Sequence, residues 1–176
     1  MNEALSVRLE RVLRVISDFP KPGIRFRDIT LLLADPVLLQ EVLTNMTAEF
    51  ASRDISHVVG IESRGFLFGV PIALGLQAAF VPARKPGKLP APSVRESFFL
   101  EYGSDALEIH ADSLTRNSRV LIVDDILATG GTVAAACRLV ERLGASVVGV
   151  SVMGEIAGLC EPSVLTGRDV RVLVSL

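Results

Sequence analysis

The chain has 176 residues, 49% of them hydrophobic, enough for one domain with a sizeable buried core. A formal net charge of −2 provides no overall basic field for nucleic acid, and two cysteines and two histidines show no metal-ligand spacing. The start Met1-Asn2-Glu3-Ala4 lacks a basic n-region and an apolar h-region, so no signal peptide is expected, and a cytoplasmic protein with free thiols at Cys137 and Cys160 is the reading.

Leu5, Leu9, Val12, Leu13 and Ile16 recur at helical spacing and predict a helix over 5–16. Residues 18–28 read as a loop punctuated by Pro20, Pro22 and Gly23. Asp35 followed by Pro36 is an N-cap with proline at the first helical position, opening a helix to about Phe50. His57 to Ile61 is a short apolar strand. The uncharged run from Gly65 to Ala83 approaches the length of a membrane span, but Gly69, Pro71, Gly75, Gln77 and Pro82 interrupt it. It reads instead as a helix from about Phe66 to Leu74, stopped by Gly75, and a strand near Ala79 to Val81. A loop from Arg84 to Arg95 follows, with Pro86, Pro90 and Pro92. Ser97 to Tyr102 and Ala106 to His110 flank Gly103-Ser104-Asp105, a hairpin signal. Arg119 to Val123 is a buried strand, Gly130 to Leu143 a helix ended by Gly144, Ser146 to Met153 an apolar strand, and Val170 to Ser175 the last strand. Strands alternating with helices predict an α/β fold, a mostly parallel twisted sheet flanked by helices. No repeat or linker divides the chain, so residues 1–176 are expected to form a single domain.

The most informative stretch is Val120-Leu121-Ile122-Val123-Asp124-Asp125-Ile126-Leu127-Ala128-Thr129-Gly130-Gly131-Thr132. Two carboxylates stand where an apolar strand ends, and a loop of small residues leads into a helix. Ligands of open α/β sheets bind outside the carboxyl ends of the strands. A Gly- and Thr-rich loop at a helix start offers free N–H groups and hydroxyls to an anion. Acids beside a phosphate cradle suit a ligand with a phosphate at one end and sugar hydroxyls or a bound metal at the other. An ordinary strand–loop–helix joint explains either Asp124 or Asp125 as an acidic N-cap, but not both together with Thr129, Gly130, Gly131 and Thr132. The segment resembles the phosphoribosyl-pyrophosphate signature of type I phosphoribosyltransferases. The resemblance implies that Asp124 and Asp125 lie along the ribose hydroxyls and that Ala128, Thr129, Gly130, Gly131 and Thr132 hold the 5′-phosphate.

Gly60-Ile61-Glu62-Ser63-Arg64-Gly65-Phe66 likewise follows a strand and precedes a helix, so its loop belongs to the same sheet edge. Ser63 and Gly65 allow close backbone approach, and Arg64 offers a fork of donors suited to phosphate. Alone, a surface arginine beside a helix cap would explain it; beside the first motif, the two loops bracket one pocket. The segment is similar to the pyrophosphate loop of adenine phosphoribosyltransferases, and the resemblance places that family's cis peptide at Glu62-Ser63. Arg84, Lys85 and Lys88 follow the next strand end. A solvated face is the plainer reading of such charges, but a leaving pyrophosphate needs positive charge to stabilise it. The family uses equivalents of all three in this way, some from the neighbouring subunit.

The hairpin carries Phe98, Phe99, Leu100, Glu101 and Tyr102, whose apolar members fit either a core or a water-excluding lid. The resemblance makes residues of about 95–110 a catalytic flap, with Glu101 as general acid/base and Tyr102 over the substrate. His110, without an obvious partner, reads as structural. The stretch Phe19 to Thr30 fits a rigid hood (about 1–34) in which Phe26 stacks on an aromatic base while backbone groups of Arg25 and Arg27 bind its edge. Without the family, Phe26 in a small core and Arg27 paired with Asp28 would serve equally well. The chain departs from the family pattern at Leu31, where proline commonly follows Ile-Thr, and at Glu62, where aspartate is frequent.

The resemblance therefore implies transfer of ribose 5-phosphate from phosphoribosyl pyrophosphate to N9 of adenine, giving AMP and pyrophosphate. Glu101, Asp124, Asp125 and Arg64 would be catalytic. Ser63, Arg64, Arg84, Lys85 and Lys88 would bind pyrophosphate, with Mg2+ carried by the substrate near Asp124 and Asp125 rather than by a protein metal site. A homodimer is expected, and no nucleic-acid or membrane partner. The alternatives are a phosphoribosyltransferase for guanine, hypoxanthine or xanthine, and a non-catalytic regulator that senses phosphoribosyl pyrophosphate. A regulator of that kind should carry a DNA-binding domain, and no helix-turn-helix with a basic helix is recognisable before the first pocket loop.

Overall fold

The computed structural model describes residues 4–100 and 103–176. In chain order the elements are α1 (Leu5–Val12), β1 (Arg14–Ser17), β2 (Arg25–Asp28), α2 (Thr30–Leu33), α3 (Pro36–Ala48), β3 (His57–Ile61), α4 (Arg64–Gly75), β4 (Ala79–Ala83), β5 (Ser93–Leu100), β6 (Gly103–His110), β7 (Arg119–Leu127), α5 (Gly131–Arg142), β8 (Ser146–Glu155) and β9 (Val170–Ser175). Five parallel strands form the central sheet in the order β4-β3-β7-β8-β9, and β1-β2 and β5-β6 are separate antiparallel ribbons. The fold is α/β, as the alternation of elements predicts.

The chain builds outward from β3 to β4 on one side and from β7 through β8 to β9 on the other. The connections following β3 and β7 therefore diverge, which opens a crevice at the carboxyl ends of these two neighbours. Both diagnostic loops leave from those ends.

The sheet is covered on both faces. Val120 and Ile122 of β7 pack with Val133 and Leu139 of α5, while Leu121 and Val123 pack on the opposite side with Leu9, Phe50 and Phe68. This is the two-residue alternation of a strand buried on both faces. Each such fully buried side chain contributes about 1.5–3 kcal/mol relative to exposure. Among the described residues no helix is long and apolar enough to cross a membrane.

Several element boundaries differ from the sequence expectation, each for an identifiable reason. The first helix ends at Val12 rather than Ile16, because Arg14–Ser17 pairs with Arg25–Asp28, inside the expected loop, and an Arg14–Asp28 ion pair at 2.5 Å holds the ribbon's end. Helix α4 includes Gly75, and the left-handed residue after its end is Gln77, φ 54°. A Cβ on Gly75 would lie 3.0 Å from Thr47 Cγ2, so this glycine serves close packing against α3 rather than a helix stop. Strand β7 does not end at Val123: Asp124 pairs with Val152 and Leu127 with Glu155, so both carboxylates lie within the sheet. In the hairpin, pairing runs from Ser93–His110 to Leu100–Gly103, which puts Gly103, Ser104 and Asp105 in the second strand rather than the turn. The base of this hairpin is core: Phe98, Leu107 and Ile109 are buried against the α5 side. Glu96 bonds Arg138 at 2.6 Å and Arg142 at 3.0 Å, clamping the ribbon to α5.

Candidate active site

Asp124 and Asp125 occupy consecutive positions of β7, and the Asp125 N–H donates to Asp124 Oδ1 at 2.9 Å. Asp125 is 2% exposed. Burial pushes the Asp124 carboxyl well above the usual range, and the neighbouring Asp125 charge adds to it. Burial also raises Asp125, while the Arg64 guanidinium opposes the rise. Arg64 Nε stands 2.9 Å from Asp125 Oδ2, yet that oxygen has no aligned hydrogen-bond partner among the described residues. The contact is one of charge, and the acid keeps a free acceptor.

Arg64 opens α4, directly after the cis peptide Glu62-Ser63. The helix start fits against β7 because residue 65 is glycine. A Cβ there would lie 2.8 Å from the Val123 carbonyl oxygen and 2.9 Å from Asp124 Oδ1. The loop after β7 ends in Gly130, φ 83°, the cap of α5 with no side-chain cap bond. The first N–H groups of α5 are thus left for an anion.

Three adjoining cavities surround these residues. The first, about 430 Å3, is lined by Asp124, Ala128, Thr129, Gly130 and Thr132, with Lys21 and Ile24 of the N-terminal segment facing them. The second, about 490 Å3, lies between Arg25, Phe26 and Arg27 on one side and Ile126 and Leu159 on the other. The third, about 290 Å3, holds Ser63, Arg64, Lys85, Asp124 and Asp125. Ile126 lines all three.

The expected phosphate loop therefore surrounds one cavity, apart from Gly131, which does not line it. Arg25, Phe26 and Arg27 line an open cleft. Phe26 is half-buried there, and Asp28 pairs with Arg14, so the alternative of a closed core with an Arg27–Asp28 pair does not hold. Arg64 serves two cavities. Its guanidinium carbon is 5.1 Å from the Phe26 ring centroid, and Nη1 donates to the Arg27 carbonyl at 3.4 Å. Arg84 and Lys88 do not line the third cavity. Arg84 instead bonds both Glu62 oxygens at 3.2 Å and the Lys88 carbonyl at 3.0 Å. Lys85 lines it but is held by Asp105 at 2.6 Å. Partial burial pushes Glu62 up, but the Lys85 N–H and the Arg84 guanidinium outweigh it and its carboxyl lies below the usual range. Glu101 and Tyr102 lie outside the described residues.

Leu159 and Ile156 line the second cleft and carry no sequence signal, and Ile126, which lines it too, stands within the signature without a role of its own there. Leu159 belongs to a motif-poor tail, and only its 44% exposure beside a cleft marks it. Cys137 is buried in the core with its thiol pushed up to about 11 by burial, and is unreactive. No group of three or more His, Cys, Asp or Glu gathers among the described residues. The paired acids, one with a free buried oxygen, fit a hard cation that is held mainly by a ligand's own oxygens.

Residues 32–156 match the model of the phosphoribosyl transferase domain. Over 163 residues the chain is 53% identical to the adenine phosphoribosyltransferase of Myxococcus xanthus, covering 93% of this chain and 89% of that protein. The crystal structure of adenine phosphoribosyltransferase from Rhodothermus marinus superposes with a TM-score of 0.93 at 44% identity, covering 98% of each chain. That of the Saccharomyces cerevisiae enzyme, complexed with an imino-altritol bisphosphate and adenine, has a TM-score of 0.88 at 39% identity, covering 96% of this chain and 98% of that one.

Proposed function

The chain belongs to the adenine phosphoribosyltransferases, and on that premise we propose how its own residues carry out the transfer. The enzyme moves the 5-phosphoribosyl group from phosphoribosyl pyrophosphate to adenine, releasing AMP and pyrophosphate, a purine-salvage reaction. Three adjoining cavities correspond in lining to the parts of the reactants. The 5′-phosphate sits on the N-terminus of α5 among Thr129, Gly130 and Thr132. Adenine enters the cleft between Phe26 and Leu159, where stacking on apolar side chains is combined with a few fixed backbone groups. Pyrophosphate takes the third cavity, beside Ser63, Arg64 and Lys85.

As the bond from ribose C1 to the pyrophosphate oxygen lengthens, positive charge develops on the sugar ring. Asp125 is buried, Asp124 is half-buried at the cavity wall, and both are fixed in the sheet, so their charge acts on that ring with little reorganisation. Arg64 stands between base and leaving group and can follow negative charge onto the departing pyrophosphate. The cations of Arg84 and Lys85 are held in reserve by Glu62 and Asp105. Glu101 is assigned the proton at adenine N9. Mg2+, held by the substrate's oxygens near Asp124 and Asp125, would neutralise charge on the leaving group. We read the whole chain as one domain that works as a homodimer. The free thiols of Cys137 and Cys160 suit a reducing compartment, and we assign the enzyme to the cytoplasm.

The observation that carries this reading is that Asp124 lines both the cavity at the α5 N-terminus and the neighbouring one that holds Asp125 and Arg64, with the Phe26 cleft adjoining both. A spectrophotometric assay with phosphoribosyl pyrophosphate and adenine, guanine or hypoxanthine tests it. AMP should form and GMP and IMP should not; equal rates with guanine would overturn the assignment of the base.

A further inference from the structure

The first cavity contains a cation that no part of the signature supplies. Lys21 projects from the hood loop and lines the cavity together with Thr129, Gly130 and Thr132. It is the only Lys, Arg or His lining that cavity among the described residues, where the single carboxylate is Asp124. Lys21 has no ion pair among the described residues. By contrast, Arg64, Arg84 and Lys85 are each paired with a carboxylate.

We propose that Lys21 is a 5′-phosphate-binding residue contributed by the hood. The proposal rests on the reading of Ala128–Thr132 as the 5′-phosphate loop. A phosphate monoester carries nearly two negative charges near neutral pH. The α5 N-terminus offers the equivalent of about half a positive charge. Backbone N–H groups and hydroxyls add donors but no net charge. Lys21 supplies the missing unit charge, as a point cation whose flexible stem suits a ligand that arrives and departs.

The backbone around Lys21 is arranged to present it. The Ile24 N–H donates to the Lys21 carbonyl at 3.2 Å, and the Phe19 N–H to the Ile24 carbonyl at 3.3 Å. The Gly23 N–H donates to Asp18 Oδ1 at 2.7 Å, with Gly23 in the left-handed region at φ 86°. This closed turn leads straight into β2, which bears Phe26. A phosphate gripped from both α5 and Lys21 therefore holds the base-binding ribbon over its cleft. The same contact would favour AMP over adenosine and draw the hood down when phosphoribosyl pyrophosphate binds.

Calorimetric titration of AMP and of adenosine into the intact wild-type enzyme, Lys21→Ala and Lys21→Arg tests the proposal. Because Lys21 is exposed, the variants are expected to fold, and adenosine binding checks that they have. Lys21→Ala should weaken AMP by about tenfold, as expected for one charge-assisted contact, and Lys21→Arg should recover most of the loss. Adenosine affinity should stay within about twofold of wild type, because the contact is to phosphate alone. The AMP loss should shrink with added salt. Unchanged AMP binding in Lys21→Ala, in an enzyme that still prefers AMP to adenosine, would overturn the role of Lys21 alone. Equal losses for both ligands would overturn it too, assigning Lys21 to hood architecture. A wild-type enzyme that binds AMP and adenosine equally would overturn the phosphate loop itself.

Discussion

The two carboxylates of β7 are costly to the fold, and the proposed reaction would use both. Both are raised by burial, so the folded state binds their protons more readily than the unfolded chain does. Their contribution is therefore a cost above the folded pKa values, and it is relieved as pH falls through them toward the ordinary value of 3.8. Asp124→Asn is expected to raise the thermal midpoint while lowering kcat/KM by about a hundredfold or more, since it keeps the shape and deletes the charge. Scanning calorimetry beside steady-state kinetics checks both; a variant that loses stability and activity together would contradict the account. Gly65→Ala is expected to destabilise by about 1–3 kcal/mol and to impair catalysis, because the new methyl meets the Val123 carbonyl and Asp124 Oδ1. A chemical denaturation midpoint measures the first effect.

Among the elements, the β5–β6 ribbon is tied at its base and carries its proposed catalytic residue beyond. Glu96 accepts a hydrogen bond from Arg138 first and Arg142 second, and its carboxyl is held below the usual range despite partial burial. A carboxyl lowered in this way stabilises the fold above its ordinary value near 4.5, and the stabilisation disappears as pH falls through the lowered folded pKa. Glu96→Gln should cost under about 1 kcal/mol at neutral pH, since both arginines are half exposed, and should remove part of the acid sensitivity. Paired denaturation curves at neutral pH and below pH ~4 would reveal it. The same scale explains what could be read from the chain unaided. Strands β3 and β9 are legible to the residue because each is a short run rich in valine, bounded by charged or polar residues such as Glu62 and Asp169. Strand β7 was cut short at Val123 because charged residues at a strand end look like a loop, and nothing local announces that β8 continues beside them. Strand β1 is hidden because Ile16, which pairs with Phe26 in the ribbon, also continues the helical spacing of Leu9, Val12 and Leu13. The joint between β7 and α5 is legible because Gly130, at φ 83°, is a position where the backbone favours glycine. The double role of Arg64 and the part of Leu159 depend on elements distant in sequence, so no local pattern could carry them.

For the whole molecule, the helix that starts at the site ends on an apolar surface. Leu67, Val70 and Leu74 of α4 recur on one helix face and are 49%, 41% and 75% exposed. Such a stripe is the face on which the proposed homodimer would bury apolar surface. Leu74→Glu is expected to yield a monomer by light scattering and to lower activity, since basic residues of the pyrophosphate site are expected to come in part from the neighbouring subunit. A dimeric, fully active Leu74→Glu enzyme would place the interface elsewhere. The placement of Asp124 and Asp125 inside a hydrogen-bonded ladder, rather than on a loop, has a further consequence. Amide protons there can swap with deuterium only when β7 separates from β8, which costs close to the full unfolding free energy. The reaction's floor should thus keep its label for hours while the short β1–β2 ribbon above it loses label early, so the enzyme meets its substrates with a stiff anvil and a pliant cover.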